Sequence, residues 1–402
     1  MKTSLTLAAL LALSSLVPAA VVQAAPTLSP IPTPFNQVAP PVNPDHFEFV
    51  VGGDNRPPGH DDPMPRSLDE ICKEIGWIRP DFVLWTGDEI EGYEDNPADA
   101  EAEYDSFLAS AALCQTPIFS IPGNHEVPDP SLPAVYQAKM GALYGSFDYG
   151  NSHFIGLDST PVVNGVVVEA DFDDAQWQWL TQDLAAHAGK SANIFVFFHH
   201  YAFGPTNPDD PKAGDTGLSS IAVRDRLHKL FVKYGVRAVF CGHDHLYWHG
   251  VRDGIDYFVA GNAGAPMDAP PDQGGFLGYM IVGVDGNKIE TEAIPAWDIQ
   301  VRTIRGNDGA SSTGSIAIDN SEYNPLLLRG ITVSMPAGTS YSVAGAADYK
   351  GKSKPVKTSI VSQTPSADGK SVTVTIAAEV PHARTTILTV GPATPGGMAG
   401  TK

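Results

Sequence analysis

From residue 47 to residue 241 the chain alternates short apolar runs with longer amphipathic ones. The runs 47–52, 81–86, 117–121, 153–158, 193–198 and 236–241 are bounded by Gly, Pro or Asp and are too short for buried helices, so each predicts a buried strand. Between several of them, 67–78, 98–113, 174–187 and 219–234 carry a helical spacing of apolar positions. Strands apolar on both faces, alternating with helices, predict an α/β domain.

The pattern changes near residue 300. Segments 313–319, 327–334, 357–363, 371–378 and 385–390 are rich in Val, Ile, Thr and Ser, are marked off by turn clusters such as Asn307-Asp308-Gly309, and show no helical period. They predict a small β-sandwich over 300–392, with 393–402 as a flexible tail. Upstream, 25–46 is rich in proline and reads as an extended lead-in rather than a packed element. Lys2, the apolar run Leu5–Val17 and the small residues up to Ala24 predict a secretory signal over 1–24, hence a secreted or periplasmic protein. That run is shorter than the ~20 residues of a membrane span, and no later one is long enough.

The formal charge of −21 repels polyanions, which argues against long nucleic acid and for a small phosphorylated partner once the motifs below are considered. Three cysteines allow one disulfide. Cys72 and Cys114, on neighbouring predicted helices, are the expected pair, and Cys241 at a strand end is expected to be buried and free.

Five polar stretches stand at or just past strand ends: "GGDNR" at 52–56, "TGDEIEG" at 86–92, "PGNHEV" at 122–127, "FFHHYAFG" at 197–204 and "CGHDHLYWHG" at 241–250. The carboxyl ends of strands in such a sheet share one crevice, so Asp54, Asp88, Asn124, His199, His243 and His245 can converge from distant parts of the chain. Oxygen and imidazole ligands suit Zn, Mn, Fe or Co better than a thiolate metal or calcium. Taken in order, these motifs resemble the calcineurin-like metallophosphoesterase family, over roughly residues 47–295. The resemblance implies a pair of packed β-sheets flanked by helices, and two divalent or trivalent ions, Mn, Fe or Zn. It puts Asp54, Asp88 and His245 on the first ion, and Asp88, Asn124, His199 and His243 on the second, with Asp88 bridging and His200 the rival to His199. A hydroxide held between the ions would attack phosphorus. His125 would protonate the leaving group, with Glu91, or alternatively Glu126, orienting it.

One position departs from that pattern. Where the family has Asp-x-His, this chain has Asp54-Asn55-Arg56, and a guanidinium has no lone pair to give a metal. The first ion is therefore expected to be weakly held or dispensable. Arg56 reads either as a clamp on substrate phosphate or as a salt bridge to a nearby acid; Asn55 is assigned no role from the sequence. Tyr201, Phe203, Tyr247 and Trp248 read as pocket wall or as core, His60, His153 and His249 as surface or core histidines, and "GNAGAPMD", 261–268, as a loop that can close one side of the cleft. The expectation is a phosphoesterase acting on mono- or diesters, with 47–299 as its catalytic domain. The alternative is an extracellular binding protein whose phosphoesterase domain no longer turns over.

Overall fold

The computed structural model describes residues 26–60, 62–93, 97–205, 217–322, 324–349 and 351–393. The expected signal segment, and all but the first residue of the expected tail, lie outside them. Among the described residues no helix is long and apolar enough to cross a membrane.

Two sheets face each other in the N-terminal part. The first runs, in spatial order, Lys288–Pro295, Gly278–Asp285, His46–Gly52, Phe82–Trp85 and Ile118–Ser120, the last three parallel. The second runs Tyr247–Arg252, Ile255–Ala260, Ala238–Cys241, Asn193–Phe197, Ser152–Gly156 and Gly145–Tyr149, with a parallel centre and antiparallel edges. Because side chains alternate across a strand, each central strand feeds two cores. Phe49, Phe82, Phe195 and Phe240 face inward and form the layer between the sheets, while Val50, Val83 and Trp85 face one set of helices and Ile194, Val196 and Val239 the other. Phe49 stacks on Phe82 at 5.3 Å and meets Phe154, Phe195 and Phe240 edge-on. Truncating such a ring to Ala costs about 3–5 kcal/mol.

The helices Arg66–Ile78, Pro97–Ala111, Asp174–His187 and Ile221–Tyr234 match the amphipathic segments. Local chemistry sets their ends. The Asp173 carboxylate accepts from Gln176 N–H at 2.7 Å, Ser220 Oγ accepts from Val223 N–H at 3.3 Å, and Gly235 closes its helix in the left-handed conformation. The short helix Leu132–Lys139 and the strands Tyr247–Arg252, Gly278–Asp285 and Lys288–Pro295 are additions to the sequence reading. The lead-in is extended but not loose: Leu28 and Ile31 are buried, and Ile31 N–H bonds Ile118 C=O at 2.8 Å.

The C-terminal part stacks Ile299–Arg305, Gly314–Asn320, Arg384–Pro392, Tyr341–Tyr349 and Lys352–Val356 against a sheet of Leu326–Pro336, Ser371–Val380 and Thr358–Pro365. Its core is continuous with the phosphoesterase part, since Ile71 and Ile75 of the first helix share a cluster with Leu328, Ile331 and Val374. Glu74 fastens the seam, accepting from Trp297 N–H at 2.7 Å and Tyr279 O–H at 3.1 Å. Cys72 and Cys114 form a disulfide, and Cys241 is free and buried.

Candidate metal centre

The five motif loops meet at one end of the facing sheets. Asp54, Asp88 and His243 all adopt left-handed backbone, with φ of 59°, 55° and 76°, a region costly for residues with a Cβ. Hydrogen bonds hold them there. Asp54 N–H donates to Gly87 C=O at 2.9 Å, and His243 N–H donates to the Asp54 carboxylate at 2.9 Å. Asp88 N–H donates to the Glu126 carboxylate, also at 2.9 Å.

Glu126 does more than that. Its buried carboxylate accepts from Asp88, Glu89, Ile90 and Gly123 N–H at 2.7–3.1 Å, curling the Asp88 and Asn124 loops around one anion. The sequence offered Glu126 only as a second choice for orienting His125. Burial and then Asp88 push its pKa up, while Gly123 and Ile90 N–H pull the other way.

Backbone carbonyls set three of the imidazoles. His199 Nδ1–H donates to Thr86 C=O at 2.9 Å, His245 Nδ1–H to Pro266 C=O at 2.8 Å and His125 Nδ1–H to Glu91 C=O at 2.6 Å, so each Nε2 presents a lone pair. Asn124 is set likewise, because its Nδ2–H donates to Tyr93 O–H at 3.0 Å and turns Oδ1 inward. Tyr93 carried no signal in the sequence.

The outcome is a cage of acceptors. His199 Nε2 lies 2.9 Å from Asn124 Oδ1, 3.3 Å from Asp88 Oδ1 and 3.3 Å from His243 Nδ1, which is itself 3.1 Å from Asn124 Oδ1. Burial holds the His199 imidazole neutral, its pKa lowered to about 3, and its one N–H is spent on Thr86 C=O, so the ring brings no proton between Nε2 and Asn124 Oδ1 to reconcile that pair of lone pairs. A cation does. Ligand atoms about 3 Å apart are the edges of a polyhedron around an ion at ~2.1 Å, the Zn–N and Zn–O distance. His200, the rival, bonds Ser159 Oγ through Nδ1 at 2.8 Å and leaves a buried Nε2 without a hydrogen-bond partner, and its ligand atom lies within 4.8 Å of those of His199 and His243, so it stays beside His199 as a candidate ligand.

A second group is looser. Ligand atoms of Asp54, Asp88 and His245 lie within 4.8 Å of one another, and His245 Nε2 stands 3.9 Å from Asp54 Oδ1. Asp54 Oδ2 is buried without a hydrogen-bond partner, and burial and then Asp88 push the Asp54 pKa up, as for a carboxylate pair short of a neighbouring cation. Arg56 reaches this group from the side: Nε is 3.9 Å from Asp88 Oδ2, and Nη1 donates to Glu91 Oε2 at 2.7 Å. The Glu91 carboxylate is thus held by Arg56 and stands 3.6 Å from His125 Nδ1, whose closer partner is the Glu91 carbonyl. Burial first, and Arg56 second, lower the His125 pKa to about 3.

The 261–268 loop walls the site, with Ala265 N–H on Asp54 C=O and the Asp268 carboxylate accepting from His245 N–H, both at 2.8 Å. Asn55 is structural: Oδ1 accepts from Trp85 Nε1–H at 2.8 Å and Nδ2–H donates to Glu89 C=O at 3.1 Å. His153 is a buried core histidine between Asp148 and Asp183, at 2.7 Å from each.

Residues 46–247 match the family model for calcineurin-like phosphoesterases. The chain belongs to that family. Among similar curated proteins, human serine/threonine-protein phosphatase CPPED1 is 25% identical over 215 residues, which is 52% of this chain and 66% of the relative. The bovine protein of the same name is 26% identical over 195 residues, 47% of this chain and 61% of its own. The match thus spans just under two thirds of these relatives. Among solved structures, a dimetal phosphatase from Danio rerio is 16% identical, covering 62% of this chain and 99% of its own with a TM-score of 0.43. GAP50 of Plasmodium, described as the anchor in the inner membrane complex, is 12% identical, covering 63% and 85% with a TM-score of 0.47.

Proposed function

We propose that this protein is an exported, metal-dependent phosphoesterase that hydrolyses small phosphate mono- or diesters. The observation that carries the reading is the convergence of Asp88, Asn124, His199 and His243, in which the lone pairs of His199 Nε2 and Asn124 Oδ1 face each other at 2.9 Å and call for a cation. The family membership and the phosphatase named among the relatives support it. Export rests on the N-terminal sequence pattern alone.

Asp88, Asn124, His199 and His243 would hold one ion, and Asp54, Asp88 and His245 a second, weaker one. Ions bound there supply Lewis acidity toward a phosphoryl oxygen and make water acidic enough to attack near neutral pH. The remaining steps belong to the chain's own residues. Arg56 offers a buried Nε–H with no hydrogen-bond partner, a donor available to a non-bridging phosphate oxygen once substrate enters. His125 presents Nε2 beside Asp88 and Arg56, while its Nδ1–H stays on Glu91 C=O. A proton released by the attacking water and taken up at that Nε2 would be handed to the departing alkoxide. Tyr93, packed edge-on against the His125 ring at 4.5 Å, fixes both that imidazole and Asn124.

The test is an assay of the purified protein on para-nitrophenyl phosphate and bis-para-nitrophenyl phosphate. Mn, Zn, Fe and Mg are added in turn to metal-stripped protein, with bound metal measured in parallel. Turnover that depends on added metal supports the reading and shows the ester type. Stoichiometric metal with no turnover on either ester would instead leave a domain that binds and does not catalyse.

A further inference from the structure

His125 can pass a proton from Nε2 to a leaving alkoxide only while its Nδ1–H stays on a fixed acceptor. That acceptor is a peptide carbonyl, Glu91 C=O at 2.6 Å. The Glu91 carboxylate stands farther off, at 3.6 Å from Nδ1, and is drawn aside by Arg56 at 2.7 Å.

The carbonyl belongs to a turn that needs support. Tyr93 N–H closes on Glu91 C=O at 2.8 Å across Gly92, whose φ of 64° makes this a three-residue turn of the rare, strained kind. On one side the His125 backbone presses against it, since a Cβ at Gly92 would meet the His125 carbonyl oxygen. Glu103 holds it from the helix Pro97–Ala111. The Oε2 of this buried side chain accepts from Glu91 N–H at 2.9 Å and from Gly92 N–H at 3.1 Å.

Gly92 N–H and Glu91 C=O are the two ends of one peptide unit. A run of hydrogen bonds therefore leads from the Glu103 carboxylate, through that peptide, to the His125 ring. Bonds in such a run polarise one another, so an anion at the N–H end makes the carbonyl a stronger acceptor and fixes the imidazole more firmly. A catalytic histidine can receive this support from a carboxylate bonded to it directly. We infer that Glu103 is the positioning residue for His125, holding the Glu91–Gly92 peptide so that Nδ1–H stays anchored and Nε2 faces the leaving group. This rests on the phosphoesterase reading above, in which His125 serves the departing alcohol.

The test compares Glu103→Ala and Glu103→Gln on an alkyl phosphate and on para-nitrophenyl phosphate, with bound metal measured in each protein. On the alkyl ester kcat should fall about 30-fold in Glu103→Ala and about fivefold in Glu103→Gln, which keeps a neutral acceptor for the two amides. Losses on the aryl ester should be much smaller, because its leaving group departs without a proton. In a His125→Ala background, Glu103→Ala should remove nothing further. Should Glu103→Ala not fold, Glu103→Gln carries the same comparisons. Equal losses on the two esters, a loss that tracks metal content, or an undiminished loss without His125 overturns the inference and leaves the phosphoesterase reading standing. If the unaltered protein hydrolyses no ester with any metal, that reading fails instead, and nuclear magnetic resonance of metal-stripped protein decides the positioning. A His125 Nδ1–H signal, assigned by its loss in His125→Ala, that exchanges faster with water in Glu103→Gln supports it; an unchanged signal overturns it.

Discussion

Arg56→Ala is the substitution that most sharply divides the possible roles of the residue. In the structure the guanidinium is largely buried, pairs with Glu91 at 2.7 Å, and leaves Nε without a hydrogen-bond partner 3.9 Å from Asp88. A hydrogen bond from a charged donor to phosphate contributes about 1.5–3 kcal/mol, so its removal should lower kcat/KM about 10- to 150-fold. The loss of Glu91's partner costs stability, by about 1 kcal/mol since both side chains keep contact with solvent. The third effect has the opposite sign. Two unit charges 4 Å apart interact by ~4 kcal/mol at an effective dielectric of 20, and part of that attraction now ties Asp88 to Arg56. Freed from it, the Asp54, Asp88 and His245 group should bind its ion about tenfold tighter.

Arg56→Lys should recover only part of the kinetic loss, because one ammonium cannot hold Glu91 and present a second, fixed N–H to phosphate as the guanidinium fork does. Arg56→His should go further on the metal side, adding an imidazole ligand while still losing the phosphate contact. Calorimetric metal titration of each stripped variant, alongside kcat/KM on para-nitrophenyl phosphate, reads the two effects separately. An Arg56→Ala protein with unchanged kinetics and metal stoichiometry but a lower melting temperature would refute the clamp and leave a salt bridge to Glu91.

His243→Ala and Asp88→Asn should each remove most bound metal, the first by deleting a cage ligand and the second by removing charge, as elemental analysis would show. His125→Ala should lower kcat strongly with metal content intact, and less for para-nitrophenyl phosphate than for an alkyl phosphate, whose leaving group needs the proton more. Glu126→Gln should turn an amide NH2 toward two of the four N–H groups it serves, leaving those two without an acceptor and the other two on a neutral oxygen, costing about 2–4 kcal/mol in denaturant unfolding and weakening metal binding with it. Burial raises the Glu74 pKa from 4.5 to about 8, so the folded state binds a proton that the unfolded state has released between those values. Its contribution to stability is therefore full below about pH 4.5 and is lost as pH rises to about 8, by up to ~4 kcal/mol, and Glu74→Gln should flatten that slope in pH-dependent melting.

The strands that carry the motifs were legible because burial on both faces leaves a short unbroken apolar run with a polar residue at its end. Phe47 to Gly52 and Ile194 to Phe198 are such runs, and Asp54 and His199 stand just beyond them. The strand Tyr247–Arg252 was read as motif tail, since one of its faces meets solvent and Val251 is 65% exposed. Tyr341–Tyr349 hid among Ser, Ala and Gly, too small to mark a buried face. The helix Leu132–Lys139 begins beside Pro133 and spans barely two turns, which gives periodicity little to show.

Within the site, the ligands were legible and what orients them was not. Side-chain type announces a ligand, whereas Tyr93 and Glu126 act through the path of the backbone. Tyr93 reaches Asn124 only because Gly92 turns the chain at φ 64°, against the His125 carbonyl where no Cβ fits. Glu126 serves four amides only once two loops have curled toward it. The same logic explains the left-handed backbone at Asp54, Asp88 and His243. Propensity would place Gly or Asn there, and either would relax strain of about 1–3 kcal/mol per residue. Glycine offers no ligand, however, and an amide offers less charge than Asp and a harder atom than His. The chain keeps the ligating side chain and accepts the strained backbone, which Glu126, Gly87 C=O and the Asp54 carboxylate hold in place through the hydrogen bonds described above. It follows that the cage is shaped by protein contacts, and that Glu126→Gln should relax the Asp88 loop even in metal-stripped protein, where faster amide exchange at Asp88 to Ile90 would report it.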